Sequence, residues 1–222
     1  MEDNHSSACK YIELFLSGHS AHVRGAALDV GCGSGRLTLD VLSKRYDLVD
    51  MFDSEYNCAK IAEGNVENCK NIGKVEHAKM QDYEFTLKRG YNAVYMRWCI
   101  GYLNKAEQIA FLKKAQKALA NPTDRYSRNN PPPSYIFVLD NVDERHKRDK
   151  AIYRGQKVET ADYYQRLWAE AGLDCQSIQR KNLNSDYIAV LMWALYWEAS
   201  RVQIERRNWR ESWVKANEAN FW

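Results

Sequence analysis

Apolar residues along this chain recur with two periods. Short unbroken runs of Val, Ile, Leu and aromatic residues alternate with longer stretches spaced three and four apart. The first kind predicts buried strands and the second amphipathic helices. "ACKYIELFLSG" carries Ile12, Leu14, Phe15 and Leu16 and ends on Gly18, which predicts a short helix. "GAALDVG" predicts a first strand, "RLTLDVLSKRY" a helix, "LVDMFDSE" a second strand ending on Asp53, and "YNCAKIAEGNVENC" a helix. "KVEHAKMQDY" and "YNAVYMRWCI" predict strands three and four. "KAEQIAFLKKAQKAL" predicts a helix with its stripe at Ile109, Leu112, Ala115 and Leu119, and "SYIFVLDNV" predicts strand five. "TADYYQRLWAEAGL" is a further helix, closed by Gly172, and "DCQSIQRKNL" with "YIAVLMWALYW" forms a terminal hairpin of strands six and seven.

Strands alternating with helices imply a doubly wound, Rossmann-like sheet of seven strands. It is mostly parallel, with an antiparallel last strand. Such sheets take ligands beyond the carboxyl ends of their strands.

Two stretches fall outside this alternation. "NPTDRYSRNNPPPS" (121–134) holds all four prolines and predicts a surface loop with polyproline character. The segment 196–222 holds Trp197, Trp209, Trp213 and Trp222, four of the seven tryptophans. Trp209 and Trp213 share a helical face, so a helical extension that either packs on its own domain or docks a partner is expected. The organisation expected is a domain over 1–195 followed by this extension, with the loop either a tolerated insertion or, like the tail, a protein-partner surface.

Composition changes little. The 222 residues carry a formal charge of +3, too mild to argue for nucleic acid. The six cysteines form no Cys-x-x-Cys pair, so reduced thiols and no metal are expected. With no long apolar run and the acidic start "MEDNHSS", no membrane span or targeting segment is expected, and a cytoplasmic or nuclear setting is the default. An organellar assembly stays open.

The chemistry sits in "LDVGCGSGR". Gly31-x-Gly33-x-Gly35 after a strand predicts a turn over which a ligand's polar groups approach the backbone. The spacing is tighter than the G-x-G-x-x-G of dinucleotide folds, which makes a nicotinamide-dependent oxidoreductase a weak alternative. Arg36 can pair with a ligand carboxylate, and Asp53 can accept from ribose hydroxyls. "MQDY" puts Met80 and Gln81 where an adenine would lie. These features favour S-adenosylmethionine (SAM).

Together, "ALDVGCGSGRLT", "VDMFDSE", "MQDYEF", "RWCIGYL", "LDNV", "LWAEAGL" and "YIAVLMWAL" resemble the protein N-terminal methyltransferases, over roughly Lys10 to Leu195. The resemblance implies the class I methyltransferase fold and methylation of a protein's α-amine. It implies SAM contacts from Gly31, Arg36, Asp53, Met80 and Gln81. It also implies that Trp98 walls the acceptor channel and that Asn141 helps hold the incoming N-terminus.

This chain departs from the family pattern at several positions. Tyr102 stands where the family has a histidine, and Arg97 where it has a glutamine. The acidic loop after strand five aligns with "DKAIYRGQKVET", its key acid falling near Arg154. The family's Gly-rich N-terminal lid is expected to be missing. The segment "DERHKRDKAIYRGQK" sets six cations against Asp143, Glu144 and Asp149, a balance that suits an acidic partner. Asp140, Asn141 and Tyr102 are the candidate catalytic groups, with Asp143 as a further acid that could orient a substrate. Two readings follow: a SAM-dependent methyltransferase, or a non-catalytic methyltransferase-like scaffold subunit of a larger assembly.

Overall fold

The computed structural model describes residues 9–10, 12–13, 23–88, 90–120, 134–143, 151–153, 156–182 and 188–196. Most of the proline-rich loop, nearly all of the tryptophan-rich tail, Arg154, and Leu14, Phe15 and Leu16 of the first expected helix lie outside the described residues.

Strands β1 (Val23–Val30), β2 (Tyr46–Asp53), β3 (Ile72–His77), β4 (Ala93–Arg97) and β5 (Tyr135–Asp143) run parallel. They share one sheet with β8 (Asp174–Asn182) and β9 (Ile188–Tyr196), in the order β3-β2-β1-β4-β5-β9-β8. β9 is antiparallel to both of its neighbours, so it alone reverses the sheet. A π-wound stretch (Thr38–Leu42) running into α1 (Ser43–Arg45) follows β1. Helices α2 (Tyr56–Asn65), α3 (Lys105–Ala118) and α4 (Ala161–Glu170) complete the wrapping.

Two apolar layers cover the sheet. Leu28, Val94, Met96, Ile136, Val138 and Val142 face Phe111 and Leu112 of α3 and Tyr164, Leu167 and Trp168 of α4. Ala27, Ala93, Tyr95, Phe137 and Leu139 point the other way, against Ile12, Leu37, Val41 and Leu42. This is the strand alternation of side chains carried through three adjacent strands. It decides which polar residues at the strand ends can meet.

Local signals account for the element ends. The Asn104 side chain accepts from the Glu107 amide (3.0 Å) while the Glu107 carboxylate accepts from the Asn104 amide (2.9 Å), a reciprocal capping box that starts α3. The buried face of α3 is Gln108, Phe111, Leu112 and Ala115, and Leu119 lies beyond the helix, bridged to Tyr91. Leu112 and Ala115 of the expected stripe are buried and Ile109 and Leu119 pack half-buried on the same core, while Gln108 joins the buried face with its hydrogen bond to the Ile100 carbonyl (3.1 Å). Thr160 caps α4 through the Tyr163 amide, and Gly172 leaves that helix at φ +75°.

One feature escaped the sequence pattern. The stretch after β5, expected as a loop, contains an antiparallel pair, β6 (Ala151–Tyr153) with β7 (Gln156–Val158). Strands of three residues are too short for alternation to register. β7 packs against the single turn at Ile100–Tyr102 and against β5. Among the described residues, no helix is long and apolar enough to cross a membrane, and no cluster of three or more His, Cys, Asp or Glu could hold a metal ion.

Candidate functional site

The strand order reverses between β1 and β4, so the crevice of this sheet opens where those two strands end. Leaving β1, the chain takes positive φ at Gly31 (+63°), Gly33 (+56°) and Gly35 (+74°). Their surroundings differ. A Cβ on Gly31 would stand 2.8 Å from that of Cys99, and one on Gly35 would press on Ala62 and Val66 at 3.3–3.4 Å. A Cβ on Gly33 would meet nothing within 4 Å. Gly31 and Gly35 are therefore packed from within, while Gly33 borders open space.

Asp53 at the end of β2 holds this turn. Its Oδ2 accepts from the Gly33 amide at 2.8 Å and its Oδ1 from the Glu55 amide at 2.9 Å. The residue is 8% exposed. Beneath it lies Asp29, 2% exposed, which accepts from the Thr38 hydroxyl at 2.9 Å and so ties β1 to the π-wound stretch. Burial pushes the Asp29 carboxyl up to about 6, against the counter-pull of Arg97 and the Thr38 hydrogen bond. Arg36 lies at the exposed start of the same helix. Met80 and Gln81 sit in the turn after β3. Met80 packs on the core, and Gln81 is exposed, with its amide on Glu107 (3.3 Å) and its carbonyl accepting from Lys114 (3.1 Å).

The end of β4 carries the other half. Trp98 has φ +53°, the one non-glycine residue with positive φ among the described residues. Its amide donates to the Leu139 carbonyl (2.8 Å), and the Arg97 guanidinium lies 5.5 Å from the centre of its ring. Tyr102, in the following turn, is 59% exposed.

Asn141 and Asp140, adjacent in sequence, are separated by the pleat. Asn141 continues the Phe137–Leu139 side of β5, the side of Asp29 and Arg97. Asp140 is wholly buried on the α4 side, where one carboxylate oxygen accepts from the Asn141 amide (2.7 Å). There, burial first, and then the Asp140 charge, push the Tyr164 hydroxyl well above its usual range. Gly31, Gly33 and Gly35 thus form the turn, Asp53 at the end of β2 holds it, and Arg36 begins the helix after it, with Trp98 and Asn141 at the neighbouring strand ends. Asp140 faces away and Tyr102 stands at the rim.

Three groups were missed as site residues. Asp29 was legible as an acid inside an apolar run. Arg97 had only its departure from the family pattern to mark it. Glu159 lies in "DKAIYRGQKVET", the segment in which the family's key acid aligns near Arg154. Its carbonyl accepts from the Asp143 amide (2.9 Å), and its charge reaches Tyr163 and Tyr164. The β6–β7 pair brings it there, so no sequence signal could have found it.

Known proteins give a consistent picture. Residues 3–196 match the family described as AdoMet dependent proline di-methyltransferase. An alpha N-terminal protein methyltransferase 1 from Oryza sativa is 29% identical over 80% of this chain, though the match spans only 56% of the rice protein. The chain thus covers little more than half the length of that relative. An N-terminal Xaa-Pro-Lys N-methyltransferase 1-B from Xenopus laevis is 29% identical over 82% of this chain and 77% of its own length. A SAM-dependent methyltransferase from Leishmania major superposes with a TM-score of 0.71 at 23% identity, covering 86% of this chain and 72% of that one. The N-methyltransferase NodS from Bradyrhizobium japonicum, solved with S-adenosylhomocysteine, gives 0.62 at 12% identity, over 87% and 88% of the two chains. The fold is that of the Rossmann-like methyltransferases, and the family's cofactor is SAM. On the match over residues 3–196, this chain belongs to the AdoMet-dependent proline di-methyltransferase family.

Proposed function

We propose that this chain binds SAM over the glycine turn and methylates the α-amine of a protein N-terminus, of the kind named for its frog relative. The observation that carries the reading is the open side of Gly33 beside the buried carboxylate of Asp53. Asp53 spends one lone pair of each oxygen on backbone amides and keeps the others for ribose hydroxyls. Gly31, Gly33 and Gly35 shape the turn, Arg36 takes the cofactor's carboxylate, and Met80 and Gln81 border its adenine. Bound there, SAM supplies an electrophilic methyl group.

On the acceptor side, Trp98 walls the channel and the Asn141 side chain accepts a hydrogen bond from the incoming amine. The amine must be neutral and in line to react, so positioning matters most. Asp140 fixes the end of β5 through the Asn141 amide, and Tyr102 offers a hydroxyl at the rim. The segments 121–134 and 196–222 serve protein partners, the latter as an extension of a domain over 1–195, in the cytosol or nucleus. A scaffold role draws on Tyr102, whose phenol replaces the family's histidine.

Calorimetry with S-adenosylhomocysteine (SAH), followed by mass spectrometry of peptides carrying free N-termini incubated with SAM, separates the readings. Binding with a gain of one or more methyl groups is expected. No heat at millimolar SAH would overturn cofactor binding, and binding without methyl gain on any peptide would leave the scaffold.

A further inference from the structure

We propose that Arg97 is a positioning residue that couples the cofactor cradle to the acceptor wall, by bracing Trp98 on one side and facing Asp29 under the glycine turn on the other. The inference rests on the proposed methyl transfer for its functional meaning, and on three observations of this chain for its geometry.

The first is the backbone of Trp98. A bulky side chain at positive φ is strained and persists only where its surroundings over-determine it. Here the bracing comes from the Leu139 carbonyl below and the Arg97 guanidinium over the ring. The second is the register. Asp29 pairs with Tyr95 across the β1–β4 boundary, and Arg97 lies one pleat further along the same face. From that position the Arg97 charge bears on Asp29. The third is the link from Asp29 onward. Its carboxylate holds the Thr38 hydroxyl at the start of the π-wound stretch that follows Gly35. A hydrogen bond thus joins Thr38 to Asp29, charge across one pleat relates Asp29 to Arg97, and the guanidinium meets the Trp98 ring.

The groups facing Asp29 are few. Arg97 and Tyr95 approach from β4, Thr38 from the π-wound stretch, Asp53 from the end of β2, and the thiols of Cys32 and Cys99 from their turns. Among the described residues, Arg97 is the one cation that bears on Asp29. Removing it leaves burial and Asp53, which favour the protonated acid, against the Thr38 hydrogen bonds, so the balance moves toward the protonated acid.

The test compares wild type with Arg97→Gln and Arg97→Lys. Carbon-detected NMR of the Asp29 carboxyl across pH 4–9 needs no cofactor. Arg97→Gln should raise the Asp29 midpoint by about one pH unit, and Arg97→Lys should keep it near wild type. In protein labelled with 5-fluorotryptophan, the Trp98 resonance, identified by its loss in Trp98→Phe, should move in Arg97→Gln. It should also move in Asp29→Asn, and less so when Asp29→Asn is made in the Arg97→Gln protein. SAH affinity of Arg97→Gln should fall about fivefold at pH 6.5 and recover by pH 8. An unchanged Asp29 midpoint in Arg97→Gln, or a Trp98 resonance indifferent to Asp29→Asn, would overturn the coupling. Wild-type protein that shows both effects yet binds no SAH would overturn the methyl-transfer reading alone.

Discussion

Replacing Gly33 with alanine separates what the turn does for the fold from what it does for the ligand. At φ +56° an alanine is strained by about 1 kcal/mol. No neighbour lies within 4 Å of the new methyl, so no packing cost is added. For a domain of this size, that loss lowers the melting temperature by roughly 2–4 °C. A ligand lying over the turn meets the methyl directly. Overpacking of about 1–3 kcal/mol corresponds to a loss of SAH affinity of about 5- to 150-fold. Gly31→Ala provides the contrast. Its methyl would stand 2.8 Å from Cys99 Cβ at φ +63°, adding a steric cost to the strain, about 2–4 kcal/mol together and a fall of roughly 5–15 °C. Thermal denaturation without ligand reads the first quantity and calorimetry with SAH the second. A Gly33→Ala protein that binds SAH as tightly as wild type would refute the cradle. One that melts as early as Gly31→Ala would refute the open space above Gly33.

Other expectations follow from single contacts. Asp53→Asn leaves one of the Gly33 and Glu55 amides facing an amide donor, so SAH affinity should fall at least about tenfold, with a stability loss of about 1–3 kcal/mol by urea denaturation. Asp29 binds its proton more tightly folded than unfolded, so its contribution to stability declines as pH rises from about 4 and is fully lost above about 6. Asp29→Asn keeps an acceptor for Thr38 and removes that penalty. Urea midpoints of variant and wild type should coincide near pH 4 and diverge through pH 6, the variant becoming the more stable by about 2–3 kcal/mol. Equal midpoints at pH 7 would remove burial as the cause. Asn104→Ala breaks the capping box of α3 and should cost about 1 kcal/mol in the same assay, without altering SAH affinity.

Much of this protein was legible in its residue order. Runs such as "GAALDVG" and "SYIFVLDNV" are buried along most of their length, and their alternation with helical periods implies a doubly wound sheet. The glycine turn was equally plain, because three alternating glycines after a strand answer to backbone conformation, a local property. Tertiary structure decided what depends on faces. Asp140 and Asn141 are neighbours in sequence, yet the pleat of β5 sends one under α4 and the other toward Arg97. Strand order sets Arg97 of β4 beside Asp29 of β1, nearly seventy residues earlier in the chain. The β6–β7 pair, whose strands are too short to leave a pattern, brings Glu159 back to the end of β5. Period and turn chemistry are written residue by residue, whereas the meeting of charges across strands exists only once the sheet has formed.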